Sequence, residues 1–379
     1  MSGGMELYLH MPFCVRKCAY CDFLSFPSGA ETQRMYAKRL MKDIDVMGKR
    51  YGEIPVETIF IGGGTPSVPD SALIVEIMEH VRHAFHVADG AEISMEANPG
   101  TVTREKLTDY RKAGINRLSF GLQSANDREL KLLGRIHTWA EFLESFTLAR
   151  ECGFANLNID LMSALPGQTC ESWKETLSRV TELDPEHISA YSLIIEEGTP
   201  FGERYGSEEG RKLLPDEDSE REMYHETKRF LKDCGYERYE ISNYAKPGRE
   251  CRHNIGYWTG VPYLGPGLGA SSYLDGCRFT VNPDMKQYLE EKPGMFADIE
   301  KLTKKDMEEE FFYVGLRMTA GVSLSEFERR FGISAKEVYP GLMETFVKEK
   351  AARFEGDRFV LTDYGLDVSN YIMAQFLQD

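Results

Sequence analysis

The chain has no stretch of apolar residues long enough to cross a membrane. A spanning helix needs roughly 20 consecutive, mostly apolar residues, and no run in the 379 residues approaches that length. The opening segment MSGGMELYLHMPF also lacks the charged part and the apolar part that make up a secretory leader. We therefore expect a cytoplasmic protein without a transmembrane segment, for which peripheral contact with a membrane is still open.

Positive charge is in short supply. The chain has 45 Lys and Arg residues against 61 Asp and Glu residues, which gives a net charge of −16. Nucleic-acid binding needs a basic face that neutralises phosphates. Even residues 301–379, whose pattern resembles a winged helix, carry 11 basic against 14 acidic side chains. We therefore expect no nucleic-acid partner.

Cysteine is sparse and unevenly placed. Three of the eight lie close together in the sequence: Cys14, Cys18 and Cys21. Cytoplasmic thiols stay reduced, so such a group indicates a metal or redox site rather than disulfides. Positions i, i+4 and i+7 would also share one face of a helix. Pro12 just ahead, with Arg16 and Lys17 in the gap, favours a basic loop instead.

The group lacks a fourth ligand. A structural zinc site needs four, and apart from His10 on the preceding segment no further Cys or His lies nearby. A [4Fe–4S] cluster, which thiolates hold, fits better. Three thiolates leave one iron open to a small molecule that chelates through an amine and a carboxylate. Arg16 and Lys17 would offset the negative charge of the cluster.

Residues 5 to about 235 alternate between apolar and amphipathic segments. Six segments have the pattern of buried parallel strands: 6–10, 57–61, 92–96, 117–121, 156–162 and 187–193. Six have helical spacing: about 31–50, 70–87, 103–113, 137–152, 171–182 and 217–234. Such units predict a parallel sheet, open or curled into a barrel or partial barrel, with the active site at the carboxyl ends of the strands.

The second strand is followed by a glycine run, IGGGTP. It lacks the Gly-Lys-Ser/Thr ending of a nucleotide-binding loop, because Thr65 and Pro66 stand there. One glycine would suffice for a tight turn, so three in a row indicate a backbone that approaches a ligand closely.

The alternation stops at about residue 235, which divides the chain into three parts. Residues 1–235 form the predicted barrel. Residues 236–300 are rich in Gly, Pro and Tyr and predict a barrel extension of loops and short strands, including the motif HNIGYW. Residues 301–379 predict three helices, a hairpin and a last helix, which is a winged-helix-like domain suited to packing or docking a partner.

Taken together, these motifs resemble the radical S-adenosylmethionine (SAM) superfamily, in which C-x3-C-x2-C has an aromatic residue, here Tyr20, before the last cysteine. The resemblance implies an α/β fold, a (β/α)6 partial TIM barrel. It also implies that the open iron of the cluster binds SAM. An electron supplied by a donor would then cleave the SAM sulfonium to give a 5′-deoxyadenosyl radical.

The resemblance narrows to the family of oxygen-independent coproporphyrinogen III dehydrogenases and HemW heme chaperones. It covers essentially the whole chain, through LYLHMPFC, IGGGTPS, GINRLSFGLQS, LGRIHT, NIDLMSALPGQT and YEISNYAKPG. In this family side-chain carboxylates can bind the ribose hydroxyls or the amino group of SAM, and an arginine can bind the carboxylate of SAM. A side-chain carboxylate at the end of a strand, however, also often caps the next helix. The implied SAM-contacting residues are Tyr8, Tyr20, Gly63, Gly64, Thr65, Glu96, Gln123, Arg135 and Asp160.

Two departures from the dehydrogenase pattern favour the chaperone branch. The dehydrogenase has another cysteine two residues past the third, where this chain has Phe23. It also has a substantial segment ahead of the cluster, whereas 13 residues precede Cys14 here. Both features are similar to HemW.

The sequence H-N-x-x-Y-W resembles the motif associated with heme binding in HemW. The implied heme residues are His253, Asn254, Tyr257 and Trp258. A neutral imidazole ligates heme iron well, and the two aromatic rings could stack on a porphyrin. The alternative interpretation is that the histidine only fixes a loop through hydrogen bonds and that the two aromatic rings belong to the core. Because the motif lies outside the six units, we expect it to open onto the surface, separate from the cluster and SAM.

Three nearby side chains add alternatives. Arg249 or Arg252 could pair with heme propionates, and Cys251 is a rival axial ligand. Two functions are then open. The first is a heme-binding protein that delivers heme to a membrane acceptor such as a respiratory complex, using the cluster and SAM for regulation or transfer. The alternative is an enzyme that oxidatively decarboxylates two propionates of coproporphyrinogen III. Whether the chain is an enzyme is therefore open.

Replacement of Cys14, Cys18 or Cys21 by Ser should abolish the cluster, because two thiolates and a hydroxyl hold a cubane poorly. Iron and sulfide analysis after anaerobic reconstitution measures this. Full iron and sulfide in any one of these variants would refute the assignment. As controls, the same replacement should leave the cluster content intact at Cys152, Cys170, Cys234 and Cys277.

Overall fold

In the computed structural model of the protein, the described residues are 3–290 and 292–377. Six neighbouring parallel strands form the centre: β1 (Met5–Met11), β2 (Val56–Gly63), β3 (Val87–Ala97), β4 (Arg117–Gln123), β5 (Leu157–Ser163) and β6 (His187–Ser192). Within the described residues β1 and β6 do not pair with each other, because β1 continues into β9 (Tyr263–Leu264) and β6 into β8 (Asn243–Ala245). The predicted α/β partial barrel is thereby confirmed.

Nine helices, found in the described residues up to Asp233, follow or cover these strands: α1 (Ala30–Tyr51), α2 (Ser71–Ala84), α3 (Arg104–Lys112), α4 (Asp127–Leu133), α5 (Trp139–Glu151), α6 (Cys170–Thr181), α7 (Pro200–Tyr205), α8 (Glu208–Arg211) and α9 (Glu217–Asp233). Side-chain caps fix many of their starts, as at Asp70, Thr103 and Asn126. The sequence pattern missed the short helices α4, α7 and α8, because four to seven residues are too few for a helical periodicity.

The two faces of the barrel strands differ in polarity. Outward side chains such as Leu7, Leu9 and Ile59 are fully buried in the apolar layer beneath the helices. Successive side chains on a strand point to opposite faces. The alternate positions, here Glu6 and Tyr8, therefore point into the barrel. The barrel interior is consequently polar, whereas the core lies between the strands and the helices.

The rest of the chain extends the sheet and adds a separate unit. The extension contains β7 (Glu237–Arg238), α10 (Arg252–Thr259), β10 (Ser271–Leu274), β11 (Cys277–Thr280), α11 (Met285–Glu290) and β12 (Ala297–Lys301). Together with β8 and β9 these strands complete a twelve-stranded sheet. No helix in the described ranges is both long and apolar enough to cross a membrane.

The C-terminal unit has its own apolar core, which includes Phe312, Phe327, Tyr339 and Phe346. Its elements are α12 (Lys304–Gly315), β13 (Val322–Ser323), α13 (Leu324–Phe331), α14 (Ala335–Val338), α15 (Leu342–Lys348), β14 (Ala352–Glu355), β15 (Arg358–Leu361), α16 (Asp363–Asp367) and α17 (Ser369–Ala374). Up to Leu377, the last residue described, four helices precede the hairpin of β14 and β15 and two follow it, where the sequence predicted three helices and one.

Candidate functional site

The three clustered cysteines lie on the loop between β1 and α1, at the carboxyl end of the barrel. All three are partly buried. Ala19, between them, donates its N–H to Leu133 O at 3.1 Å and accepts from Phe201 N at 2.9 Å. The Arg16 guanidinium donates to Gly134 O at 2.7 Å. The loop is therefore fixed by α4 and α7, two of the helices that the sequence pattern had missed.

Two of the thiols lie next to side chains from other loops of the barrel. Cys14 Sγ lies 3.5 Å from Thr65 Oγ1, and Cys18 Sγ lies 3.5 Å from Arg135 Nη1. Burial raises the pKa of the Cys21 thiol. Within the described residues no three His, Cys, Asp or Glu side chains converge as they would around a single metal ion. A cubane does not require such convergence, because its ligands bind separate iron atoms, so the loop is compatible with a [4Fe–4S] cluster.

The glycine run packs directly against the cysteine loop. Gly64 N–H donates to Met11 O at 2.9 Å, and Thr65 N–H donates to Phe13 O at 2.7 Å. A Cβ at Gly64 would lie 2.8 Å from Phe13 N, and one at Gly63, whose φ is +113°, 2.4 Å from the His10 ring. The close packing of the two loops is thus one reason for these glycines. Their contact with a ligand stays a prediction.

Two predicted carboxylates point into the barrel rather than capping helices. Glu96 Oε2 accepts the Gly63 N–H at 3.1 Å, and burial together with Asp160 raises the pKa of Glu96 to about 8. Burial also raises the pKa of Asp160, which accepts hydrogen bonds from Ser119 and Asn158. Such carboxyls favour a ligand that brings positive charge or hydroxyl donors, as SAM does.

Arg135 joins the cysteine loop to the ends of β3 and β4. Its Nη2 donates to Asn98 Oδ1 at 2.7 Å and to Gly121 O, while its buried Nε has no partner. Gln123, which ends β4, has a left-handed φ of +74°, a strained conformation that is enriched at functional sites. Its Oε1 accepts the Tyr191 hydroxyl at 3.0 Å. Tyr20 packs on Phe201, with 6.4 Å between the ring centroids.

Five of the nine predicted SAM residues line one of two separate spaces. Tyr8, Glu96 and Asp160 line a barrel cavity of about 260 Å³. Thr65 and Arg135 line a smaller recess beside Cys18. Sequence reasoning missed Arg117, Ser119 and Asn158 in the cavity wall. The alternation of side chains along β4 and β5 could have identified them, because 117 and 119 share a face, as do 158 and 160.

The HNIGYW motif forms helix α10, and two expectations about it were wrong. It is neither a loop nor open to the surface, since His253 is 1% exposed. The His253 ring stacks on Phe60 of β2 at 5.2 Å and lines the same cavity as Glu96 and Asp160. The reason is that α10 lies against polar side chains in the amino-terminal halves of the barrel strands, a contact that the local sequence does not encode.

Both nitrogens of the His253 ring are hydrogen-bonded. Nδ1 lies 2.7 Å from Thr58 Oγ1, and Nε2 lies 3.1 Å from the Tyr257 hydroxyl. Thr58 in turn donates to Glu6, so the network assigns the proton to Nδ1 and makes Nε2 the acceptor. Burial, assisted by Arg117, lowers the pKa of His253 to about 3. The imidazole is therefore neutral.

The other residues of the motif do not all face one site. Asn254 and Tyr257 line the cavity with His253. Trp258 lies instead beneath the Arg317 guanidinium of the C-terminal unit, 4.4 Å from the ring centroid. The four predicted heme residues thus do not surround one open space in this conformation.

The other three candidate heme contacts, Cys251, Arg252 and Arg249, lie in different environments. Cys251 is fully buried, and burial raises the pKa of its thiol to about 12, so it is a poor source of thiolate. Arg252 pairs with Glu57 at 3.2 Å, and Arg249 is exposed.

Two carboxyls inside the barrel hold α10. Glu92 accepts the backbone N–H groups of Arg252 at 3.2 Å and His253 at 3.3 Å, at the start of the helix. A Cβ at Gly256 would lie 1.9 Å from Glu6 Oε1, so a larger residue there would displace the Glu6 carboxyl. Burial raises the pKa of Glu6 to about 9.

Glu6→Gln should reduce the pH dependence of stability. The folded state keeps a proton on Glu6 that the unfolded state loses above about pH 4.5. The free energy of unfolding therefore falls as the pH rises from about 4.5 towards 9. One such proton contributes a slope of at most about 1.4 kcal/mol per pH unit. Urea unfolding between pH 5 and 9 measures the slope, which should be smaller in Glu6→Gln. The control Glu76→Gln, on the exposed face of α2, should keep the wild-type slope.

Arg135→Ala should weaken SAM binding without emptying the cluster, because the predicted contact is a charge-assisted hydrogen bond worth roughly 1.5–3 kcal/mol. The expected loss of affinity is about ten- to a hundredfold. Anaerobic calorimetry on reconstituted protein, with iron analysis alongside, separates the two effects. An unchanged SAM affinity would remove Arg135 from the site. Arg16→Ala, which alters a contact of the same loop, is the matched control.

Comparison with known proteins agrees with this architecture. Residues 8–180 match the Radical SAM superfamily and residues 302–368 match the HemN C-terminal domain. The chain is 35% identical to "Heme chaperone HemW" of Bacillus subtilis, over 98% of each chain. It is also 35% identical to "Heme chaperone HemW" of Escherichia coli, over 99% of this chain and 98% of that one.

A solved structure shares the fold. The coproporphyrinogen III oxidase HemN from Escherichia coli, described as a radical SAM enzyme, superposes with a TM-score of 0.86, covering 100% of this chain and 91% of that one. At 24% sequence identity this likeness concerns the fold alone.

Proposed function

The chain belongs to the radical SAM superfamily and, within it, to the family of the HemW heme chaperones, and on this premise we propose that it is itself a heme chaperone. It binds heme, a [4Fe–4S] cluster and SAM, and it delivers the heme to a membrane acceptor such as a respiratory complex. The observation that carries the proposal is the likeness to proteins named as heme chaperones along nearly the whole length.

The residue at position 23 supports the chaperone over the alternative coproporphyrinogen III dehydrogenase. Phe23 is 63% exposed and stands where the dehydrogenase pattern has a further cysteine. The cluster loop therefore offers the thiols of Cys14, Cys18 and Cys21 to the cluster. SAM at the open iron would, with an electron from a donor protein, supply radical chemistry.

His253 is the residue proposed to hold the heme iron, and Asn254, Tyr257 and Trp258 are the further proposed heme contacts, of which Trp258 lies outside the cavity. Its imidazole is neutral, and its Nε2 lone pair is engaged only by the Tyr257 hydroxyl. The cavity of about 260 Å³ is smaller than the ~300–1,000 Å³ of typical ligand pockets, and a tetrapyrrole does not fit inside it. Heme ligation therefore requires α10 to move away from the barrel.

His253→Ala should bind heme much more weakly and with an altered absorption spectrum. Tyr257→Phe is the matched variant, because it keeps the aromatic ring and frees Nε2, so its heme affinity should not fall. A variant lacking Cys14, Cys18 and Cys21 should still take up heme, since those thiols lie at the opposite end of the barrel from α10. Heme titrations followed by absorbance test all three.

The opposite outcome of the heme titrations would place the heme site elsewhere in the structure. If the triple cysteine variant loses heme while His253→Ala retains it with an unchanged spectrum, heme lies against the cluster loop. The catalytic alternative has its own assay, which is anaerobic incubation of reconstituted protein with coproporphyrinogen III and SAM. We expect no decarboxylated product, and turnover would overturn the chaperone proposal.

A further inference from the structure

Asn98 follows β3 directly and lies between two residues that each adjoin a clustered cysteine. Its Nδ2 donates to Thr65 Oγ1 at 2.8 Å, and its Oδ1 accepts from Arg135 Nη2 at 2.7 Å. The Thr65 hydroxyl in turn lies 3.5 Å from Cys14 Sγ. Arg135 Nη1 donates to Cys18 Sγ, also at 3.5 Å. One amide therefore connects the surroundings of two of the three thiols.

The backbone of Asn98 is fixed as well. Its N–H donates to Ser67 Oγ at 3.2 Å, and its carbonyl accepts from the Thr101 hydroxyl at 2.7 Å. The ammonium of Lys106 donates to Ser67 O at 2.7 Å and to Thr101 O at 3.4 Å. The Asn98 side chain therefore projects from a loop whose position is set independently of any ligand.

Arg135 determines which way the Asn98 amide faces. A guanidinium can only donate hydrogen bonds, so the amide oxygen faces Arg135 and the amide nitrogen faces Thr65. Because the Thr65 oxygen accepts from that nitrogen, its own proton is left for another acceptor. Among the described residues the remaining hydrogen-bond partner of this hydroxyl is Cys14 Sγ. A thiolate that ligates iron carries no proton, so in the loaded site Thr65 must be the donor.

A hydrogen bond of this kind affects the chemistry of a cluster. Hydrogen bonds to the ligand sulfurs are among the factors that set the reduction potential of an iron–sulfur cluster. Reduction adds one electron to the cluster, and no bond to the protein forms or breaks. The hydroxyl of Thr65 stabilises the added negative charge, so the cluster is easier to reduce than it would be with the Cys14 sulfur unpaired.

We propose that Asn98 is a positioning residue that directs the Thr65 hydroxyl at Cys14 and thereby raises the reduction potential of the cluster. The inference rests on the proposed function in one respect, which is that Cys14 ligates a [4Fe–4S] cluster. It requires neither heme nor SAM. A residue that only tied loops together would change stability on replacement and leave the potential as it was.

Asn98→Asp reverses the direction of the hydrogen bond to Thr65. A carboxylate only accepts, so the Thr65 hydroxyl turns towards it and away from Cys14. We expect the equilibrium constant for reduction to fall about tenfold, the effect of losing a hydrogen bond to a charged group, which is about 59 mV for one electron. Potentiometric titration of anaerobically reconstituted protein without SAM, followed by the paramagnetic resonance signal of the reduced cluster, measures the shift.

Two further proteins separate the hydrogen bond from the added charge. Thr65→Val removes the hydroxyl at constant charge and should also lower the potential. In the Thr65→Val background, Asn98→Asp should lower the potential by less than it does alone, because the hydroxyl is already absent. The matched control Asn116→Asp places the same charge on an exposed residue just before β4 and keeps the acceptor of the Ile93 N–H. Its potential should be that of the wild type.

Iron and sulfide analysis accompanies every titration. A wild type without iron and sulfide would overturn both the proposed function and this inference. A loaded wild type whose potential is unchanged by Thr65→Val or by Asn98→Asp, or shifts that add fully in the double variant, would overturn the role of Asn98 alone. If Asn98→Asp assembles no cluster, Asn98→Ala replaces it, because the hydroxyl then loses the amide that directs it. Its potential should fall, and a wild-type value would contradict the proposal.

Discussion

The hydrogen bonds inside the barrel are the constraint on which the rest of the structure depends. Polar groups in a low-dielectric interior are expensive unless they are paired. Asn158 illustrates the solution, because its amide donates to Ser119 and Asp160 while its oxygen accepts from His187. Three adjacent strands are thereby held in one register, and the interior stays polar enough to receive charged ligands.

At the carboxyl end of the barrel, hydrogen bonds between loops have the same role as those between the strands. The cysteine loop and the glycine run bond to each other through their backbones, and Arg135 connects the cysteine loop to β4. A cluster on this loop would therefore rest on a fixed frame. The barrel cavity is lined by Glu96 and Asp160, whose pKa values burial raises, and such carboxyls favour a ligand that brings positive charge or hydroxyl donors.

Helix α10 connects this interior to the C-terminal unit. One face carries His253 into the barrel, and the other places Trp258 under Arg317, which also binds the fully buried Glu240 at 3.3 Å. A movement of α10 would therefore disturb contacts on both sides of the helix. This arrangement places the proposed heme ligand in the same cavity as the predicted SAM contacts Glu96 and Asp160, where we had expected two separate sites.

Local periodicity, spacing and turn chemistry were enough to predict the parallel strands, the long helices, the cysteine loop and the C-terminal unit. The partial barrel and the family followed from the resemblance that these motifs carry. The position of the HNIGYW motif could not be predicted locally, because the contacts of α10 with Glu6, Thr58 and Glu92 join residues far apart in the chain. Only the tertiary structure decided that Asn98 joins Thr65 to Arg135, because these contacts connect loops that follow different strands.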